Sequence, residues 1–292
     1  MTFGSILTAM ITPFDKSGAV DTREAKRLAR WLVDRGNDGL VVAGSTGEGM
    51  ALDENERIEL VAAVKEAVGN DACVIANAGT NETRGSVVAA RAMQAAGADA
   101  LLAVVPYYNK PTQSGLLAHF GAIAEATDLP IAIYNIPGRT ATNMLPATLV
   151  ELARRHANVR GVKESSGDLK QFATILRDRP QGFQFLVGDD HLYLPGLSLG
   201  ADGIVGVATH LCSREFVAMR DAHAAGNARE AARIHLSLLE LFELLFTVSN
   251  PIPIKWAMGE LGFAVGRCRL PLDDMPDDLA RRLRPLLAAF TA

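Results

Sequence analysis

Several features are scarce or missing in this chain, and each absence argues against a class of protein. The 292 residues contain only three cysteines, Cys73, Cys212 and Cys268, which are far apart and odd in number. They are not arranged as a disulfide framework or a cysteine metal site, so we expect free thiols and a cytoplasmic protein. No basic run stands out and the net charge is -4, which argues against nucleic-acid binding.

Long apolar runs are also missing. No run approaches the length needed to span a bilayer, and the N-terminus lacks the basic and apolar segments of a signal peptide. We therefore predict neither a membrane protein nor a secreted one. The six histidines show no paired ligand spacing, so we predict no metal site and find no support for a metal-dependent aldolase.

What the sequence does contain is a regular alternation of two patterns. Short apolar runs recur about every 25 to 35 residues, as expected for buried strands, and helix-patterned segments such as 22–34, 54–68 and 83–96 lie between them. The eight runs cover residues 6–11, 39–43, 73–76, 100–105, 131–134, 159–163, 183–187 and 203–207. Eight such units predict an α/β fold, a closed (β/α)8 TIM barrel. A doubly wound open sheet is the alternative, but it rarely needs eight regular units.

After residue 207 the pattern becomes purely helical. Segment 214–225 would close the barrel as its eighth helix, so we place the catalytic barrel at 1–225. Segments 228–245, 253–261 and 277–289 are also patterned as helices. We assign residues 226–292 to a C-terminal helical extension that packs on the barrel or on another subunit.

Lys163 is the most informative single residue. It ends the run 159–163, where a buried strand opens into a loop. Such a position desolvates the ammonium group and lowers its pKa, which leaves neutral amine able to attack a carbonyl. The alternative is a structural lysine paired with a carboxylate such as Glu164. Lys255 is the second candidate nucleophile, but we expect it in the extension, far from the barrel mouth, and with a solvated head like the other lysines outside the strands.

The remaining candidates lie at other strand ends, which meet at one mouth in such a barrel. The glycines around Ser45 and Thr46 favour a nest of backbone N–H groups for a carboxylate, although a plain glycine-rich turn is the alternative. No Gly-Lys-Ser/Thr follows, which excludes a P-loop. Tyr134 is placed to exchange protons with an imine intermediate, with a hydroxyl relay through Ser45 and a second tyrosine, or is simply a rim residue. Arg139 suits a second carboxylate, unless it forms a surface ion pair.

Asp189 and Asp190 follow the seventh predicted strand. Such a pair of carboxylates can hold a cation. More often it caps the helix that follows.

These motifs together resemble the dihydrodipicolinate synthase / N-acetylneuraminate lyase family of pyruvate-dependent class I aldolases. The resemblance spans nearly the whole chain and is carried by Thr12-Pro13-Phe14, Gly44-Ser45-Thr46-Gly47-Glu48, Pro106-Tyr107-Tyr108, Tyr134-Asn135-Ile136-Pro137-Gly138-Arg139-Thr140, Gly161-Val162-Lys163-Glu164, Gly188-Asp189-Asp190, Asn250-Pro251-Ile252-Pro253-Ile254-Lys255 and Leu270-Pro271-Leu272.

The resemblance implies specific roles. Lys163 would form a Schiff base with pyruvate and Tyr134 would donate and accept protons. The other implied residues are Ser45 and Tyr108 in the proton relay, and Thr46, Val205 and Gly188 in substrate binding. Tyr108 would reach into a neighbouring subunit's site, which implies a homodimer, usually a dimer of dimers, without metal or organic cofactor.

Arg139 favours the synthase branch of this family, in which the second substrate is L-aspartate 4-semialdehyde and the product, 4-hydroxy-tetrahydrodipicolinate, leads to lysine. Ser45 replaces a frequent threonine but keeps the hydroxyl. Glu54, Arg57 and Gly85 do not match the residues that hold allosteric lysine, so feedback inhibition is not implied. The alternatives are a related aldolase, lyase or dehydratase acting on 2-keto-3-deoxy sugar acids or 4-hydroxy-2-oxo acids, and an idle barrel that only binds an acid or a partner.

Overall fold

Eight parallel strands close into a barrel in which each strand pairs with the next and β8 pairs with β1. The computed structural model describes residues 3–290, and every structural statement below refers to that part of the chain. The strands are β1 Ile6–Ala9, β2 Gly39–Val42, β3 Cys73–Asn77, β4 Ala100–Val104, β5 Ile131–Asn135, β6 Val159–Glu164, β7 Gln184–Val187 and β8 Gly203–Gly206. Each begins within one residue of its predicted start, so the predicted TIM barrel is confirmed.

Helices alternate with the strands along the barrel and continue after it. The barrel helices are α1 Thr22–Asp34, α2 Glu54–Val68, α3 Thr83–Ala95, α4 Gln113–Ala124, α5 Pro137–Thr140, α6 Pro146–Arg155, α7 Leu169–Asp178, α8 Tyr193–Leu199 and α9 Thr209–Ala224. The later helices are α10 Ala228–Ser237, α11 Leu239–Leu245, α12 Ile252–Glu260 and α13 Asp277–Leu287. The start of α2 shows why such boundaries are readable, since the Asp53 side chain and Glu56 form a reciprocal capping box.

Two apolar layers hold the barrel together. Because side chains alternate along a strand, Leu102 and Val104 of β4 point into the barrel, whereas Leu101 and Ala103 pack outward against the helices. The inner layer is a separate small cluster that also includes Tyr134 and the candidate substrate contact Val205. An inward-facing residue at the end of a strand therefore lies at the mouth, directly above this apolar floor.

The C-terminal segment is helical, as predicted, but one predicted helix is wrong. The pattern over 228–245 predicts a single helix, whereas α10 ends at Ser237 and α11 begins at Leu239. At the helix end the Ser237 hydroxyl donates a hydrogen bond to the Ile234 carbonyl. The break lets the two short helices bury different faces, with Ile234 on the first and Phe242 on the second. Within residues 3–290 no helix is long and apolar enough to cross a membrane.

Candidate active site

The pairing of β5 with β6 places Tyr134 directly beside Lys163. Both side chains are buried, and the Lys163 amine lies 4.3 Å from the centre of the Tyr134 ring. Within residues 3–290 this amine has no hydrogen-bond acceptor and no carboxylate in ion-pair contact. The two residues thus form a dry amine and phenol pair at the barrel mouth, as the sequence predicts.

Burial sets the protonation of both groups. Loss of solvent lowers the pKa of Lys163 from 10.5 to about 8, although the nearby Asp189 and Asp190 carboxylates oppose the change. Roughly a tenth of the amine is then neutral at pH 7, about 300-fold more than at the ordinary value. Burial raises the pKa of Tyr134 instead, so its hydroxyl keeps its proton at neutral pH and is available as a donor.

Glu164 does not pair with Lys163, because neighbouring residues of a strand point to opposite faces. Its buried carboxylate accepts hydrogen bonds from the Ser166 backbone N–H at 2.8 Å and from the side-chain amides of Asn135 and Gln171. The alternative of a structural Lys163–Glu164 pair is therefore not what the fold adopts. The polar cluster around Glu164 braces the end of β6 from the helix side.

The loop after β2 has the geometry expected of an anion nest. The Gly49 N–H returns to the Gly44 carbonyl at 2.9 Å, and a Cβ at position 49 would overlap the Ala43 carbonyl, so only glycine fits. Among the described residues, the backbone N–H groups of Ser45 and Thr46 donate to no protein acceptor. Free N–H groups in a tight turn attract a carboxylate.

The Thr46 side chain is held by a residue of the C-terminal segment. The side-chain amide of Asn250, which lies between α11 and α12, donates a 2.9 Å hydrogen bond to the Thr46 hydroxyl. The backbone carbonyl of the same Asn250 accepts a 3.3 Å hydrogen bond from Arg139. Asn250 is part of a quoted sequence motif, yet no local pattern indicates that it contacts the barrel mouth.

Arg139 is exposed on the short helix α5 and faces a pocket of about 420 Å³. It has no carboxylate partner among the described residues, so the surface ion pair suggested as its alternative does not form. Residues of the nest loop, of the β4 and β5 ends and of the C-terminal segment line this pocket. They include Ser45, Glu48, Met50, Tyr107, Ile136, Asn250, Arg269 and Leu270.

Gly188 leaves room for the Ser165 hydroxyl, which none of the sequence motifs above singles out as functional. The Ser165 side chain is buried, has no hydrogen-bond partner among the described residues, and lies against Gly188, where a Cβ would overlap its oxygen. Ser165 follows Lys163 by two residues and so shares its inward face, on the side of Tyr134. The spacing of two residues from Lys163 is the sequence signal that could have identified it.

The two neighbouring tyrosines after β4 point in different directions. Tyr107 lines the pocket together with Ser45. Tyr108 has a backbone φ of 74° and is 88% exposed. The single chain therefore brings Ser45 and Tyr134 to one mouth but leaves Tyr108 outside it.

The expectation that Lys255 is solvated and far from the mouth is wrong. Its side chain is 2% exposed, and its amine donates a 2.6 Å hydrogen bond to Glu48 of the nest loop. Glu48 also accepts from the Arg269 backbone N–H at 2.7 Å. The first turn of α12 packs under the nest, so this buried pair ties the C-terminal segment to the candidate site.

Asp190 does not cap the helix that follows it. Its buried carboxylate accepts hydrogen bonds from the Val207 and Ala208 backbone N–H groups, which precede α9. Burial raises its pKa to about 7 despite these bonds. As for metals, residues 3–290 contain no group of three or more His, Cys, Asp and Glu side chains suited to an ion.

The profile of the dihydrodipicolinate synthetase family matches residues 2–290. The chain is 50% identical over 272 residues to the 4-hydroxy-tetrahydrodipicolinate synthase of Moorella thermoacetica, with 93% of each protein covered. It is 47% identical over 270 residues to the protein of that name from Desulforamulus reducens, covering 92% of this chain and 91% of that protein.

A solved structure agrees with these sequence matches. The crystal structure of DHDPS from Cyanidioschyzon merolae with lysine bound matches with a TM-score of 0.97 and 45% identity, and 99% of each chain is covered. Profile, relatives and fold all extend over more than nine-tenths of the chain, so the chain belongs to the dihydrodipicolinate synthetase family.

Proposed function

We propose that this protein is a 4-hydroxy-tetrahydrodipicolinate synthase, which condenses pyruvate with L-aspartate 4-semialdehyde. The observation that carries the proposal is the buried, unpaired amine of Lys163 beside Tyr134. The identity of 50% to a relative of that name supports the choice of substrates. A lysine amine of lowered pKa is the group that such a carbonyl condensation requires.

The reaction begins with attack of the neutral Lys163 amine on C2 of pyruvate. Loss of water gives an iminium ion, and removal of a proton from C3 converts it to an enamine. The C3 carbon then attacks the aldehyde carbon, which restores the iminium at C2, and the resulting alkoxide takes up a proton. The amino group of the semialdehyde then attacks C2 and displaces the Lys163 amine, which closes the ring and frees the enzyme. Tyr134 donates and accepts these protons, and its raised pKa suits the donor steps.

Pyruvate and the semialdehyde are bound by different residues. The nest N–H groups and the Thr46 hydroxyl hold the pyruvate carboxylate, while Val205 and Gly188 lie against the methyl and carbonyl side. Arg139 binds the carboxylate of the semialdehyde. The absence of a carboxylate partner for Arg139 among the described residues supports this role, because its fork is left open toward the pocket.

Tyr108 completes a proton relay with Ser45 only across a subunit boundary. Its outward position in the single chain supports a homodimer in which Tyr108 enters the neighbouring site, and two dimers would pair into a tetramer. A mixture of Lys163→Ala and Tyr108→Phe chains tests this arrangement. Regained activity above that of either variant alone supports it, and no regain in a mixed dimer contradicts it.

Three further features belong to this proposal: the cofactor requirement, the compartment and the domain division. The imine on Lys163 replaces any metal or organic cofactor, and the enzyme works in the cytoplasm. Residues 1–225 form the catalytic barrel and 226–292 the extension, although contacts such as Lys255–Glu48 cross that boundary.

The decisive experiment is borohydride trapping with pyruvate followed by mass spectrometry. We expect one adduct on Lys163, and its yield at early times should rise with pH to a plateau above pH 8. An adduct on Lys255, or none at all, would refute the assignment.

The acceptor aldehyde is decided by a second measurement. Arg139→Ala should weaken use of aspartate semialdehyde by about 10- to 100-fold, the loss expected for a charge-assisted pair, and leave pyruvate trapping intact. If wild-type protein instead prefers 2-keto-3-deoxy sugar acids or 4-hydroxy-2-oxo acids in a coupled assay, the related aldolase, lyase or dehydratase activity replaces the synthase.

A further inference from the structure

Asn250 contacts both side chains that are candidates for carboxylate binding. Its side-chain amide donates to the Thr46 hydroxyl at 2.9 Å, and its carbonyl accepts from Arg139 at 3.3 Å. Asn250 is 6% exposed and lies 204 positions from Thr46 along the chain. One residue of the C-terminal segment therefore contacts both Thr46, the candidate for the pyruvate carboxylate, and Arg139, the candidate for the semialdehyde carboxylate.

The hydrogen bond to Thr46 has a direct consequence for the threonine proton. A hydroxyl has one proton to donate and two lone pairs to accept with. Since the Asn250 side-chain nitrogen occupies a lone pair, the proton is directed elsewhere, and within residues 3–290 the Thr46 hydroxyl donates no hydrogen bond. The Thr46 proton is thus left for a ligand in the nest.

The nest itself is held by other contacts. Glu48 binds Lys255 at 2.6 Å and the Arg269 backbone N–H at 2.7 Å. Loss of the Asn250 side-chain amide would therefore leave the loop in place. Its only effect would be that the Thr46 hydroxyl becomes free to rotate. This separates an orienting role from a structural one.

We propose that Asn250 is a positioning residue that turns the Thr46 hydroxyl proton toward the carboxylate of pyruvate. The inference rests on the proposed function, because it takes pyruvate as the ligand of the nest. It adds that the C-terminal segment sets the affinity of the first substrate.

The test measures how the rate of borohydride trapping on Lys163 depends on pyruvate concentration. Asn250→Ala should raise the half-saturating concentration about tenfold, the effect expected for one hydrogen bond, with the saturated rate nearly unchanged. Asn250→Asp should raise it further, since a carboxylate in that position accepts the Thr46 proton and repels the substrate. Ser249→Ala, an exposed neighbour, is the matched control and should match wild type.

A double-variant cycle distinguishes orientation from general damage. In Thr46→Val the hydroxyl is gone, so adding Asn250→Ala should then have no further effect on half-saturation. A full tenfold loss in the Thr46→Val background, or an unchanged half-saturation in folded Asn250→Ala and Asn250→Asp, overturns the inference. Absence of any pyruvate adduct in wild type would instead refute the proposed function, so the two failures are distinguishable.

Discussion

Two lysines are buried in the described part of the chain, one at the end of a barrel strand and one in the C-terminal segment. Lys163 and Lys255 are 5% and 2% exposed, and their amines lie 4.3 Å and 3.9 Å from the centres of the Tyr134 and Phe14 rings. Burial lowers the pKa of both. The difference is that Lys255 is bound to the buried Glu48 at 2.6 Å, whereas Lys163 has no such partner among the described residues.

This comparison separates burial from reactivity. A desolvated amine with a carboxylate at hydrogen-bond distance is held in its charged, non-nucleophilic form and contributes to structure. A desolvated amine without one is neutral more often and is free to attack. The partner, not the burial, distinguishes the two lysines.

The largest expected effect comes from exchanging each lysine for methionine. Lys163→Met should abolish the pyruvate adduct and lower turnover by on the order of 10³-fold or more, since the nucleophile itself is lost. Lys255→Met should keep trapping pyruvate on Lys163 in its folded fraction. Trapping at low temperature with mass mapping checks both variants, and a lost adduct in folded Lys255→Met would remove the distinction.

The second lysine should matter for stability and not for adduct formation. Lys255→Met leaves the Glu48 carboxylate buried without its cation, which should lower the free energy of unfolding by about 3–5 kcal/mol. Denaturant unfolding measures the loss. Adding Glu48→Gln removes the stranded charge and should recover part of it, and a double variant less stable than Lys255→Met would contradict this account.

The two regions also differ in how far the sequence predicts them. The barrel strands are short apolar runs that recur at regular intervals along the chain, so they can be recognised locally. In a closed barrel the residues at the ends of these strands meet at one mouth, whichever side chains pack around them. This is why local pattern and topology suffice to predict Lys163 and Tyr134 side by side at the ends of adjacent strands, where the structure has them.

The contacts of the C-terminal segment have no such local signature. The hydrogen bonds from Asn250 to Thr46 and from Lys255 to Glu48 join residues 204 and 207 positions apart. A lysine on a short helix is ordinarily solvated, and only the tertiary fold brings α12 under the nest. The break at Leu238 escaped prediction for a related reason, since no glycine or proline marks it within 228–245.

At the first lysine, loss of the amine should stabilise the protein. The folded pKa of about 8 lies below the ordinary 10.5, so below pH 8 the fold holds a proton on a buried amine at a cost of up to about 3 kcal/mol. Lys163→Met should therefore raise the free energy of unfolding at pH 7 by up to that amount. Between pH 8 and 10.5 the unfolded chain binds more protons, wild type gains stability, and the advantage of the variant should shrink. A variant less stable than wild type at every pH would contradict this.

Ser165 offers the smallest expected effect, and it tests the same contrast between an unpaired polar group at the barrel mouth and a paired one elsewhere. Within residues 3–290 its buried hydroxyl has no hydrogen-bond partner, so Ser165→Ala should raise the free energy of unfolding by about 1 kcal/mol. The same change should slow turnover a few-fold, because the oxygen lies beside Tyr134 and Gly188. Ser86 is the matched control, since its buried hydroxyl donates to the Glu82 carbonyl at 2.8 Å and accepts from the Thr80 N–H at 2.9 Å. Ser86→Ala should destabilise by a similar amount. Equal destabilisation of both variants would mean that the site hydroxyl is satisfied in the free protein, and that unpaired polar groups do not distinguish the mouth from the rest of the fold.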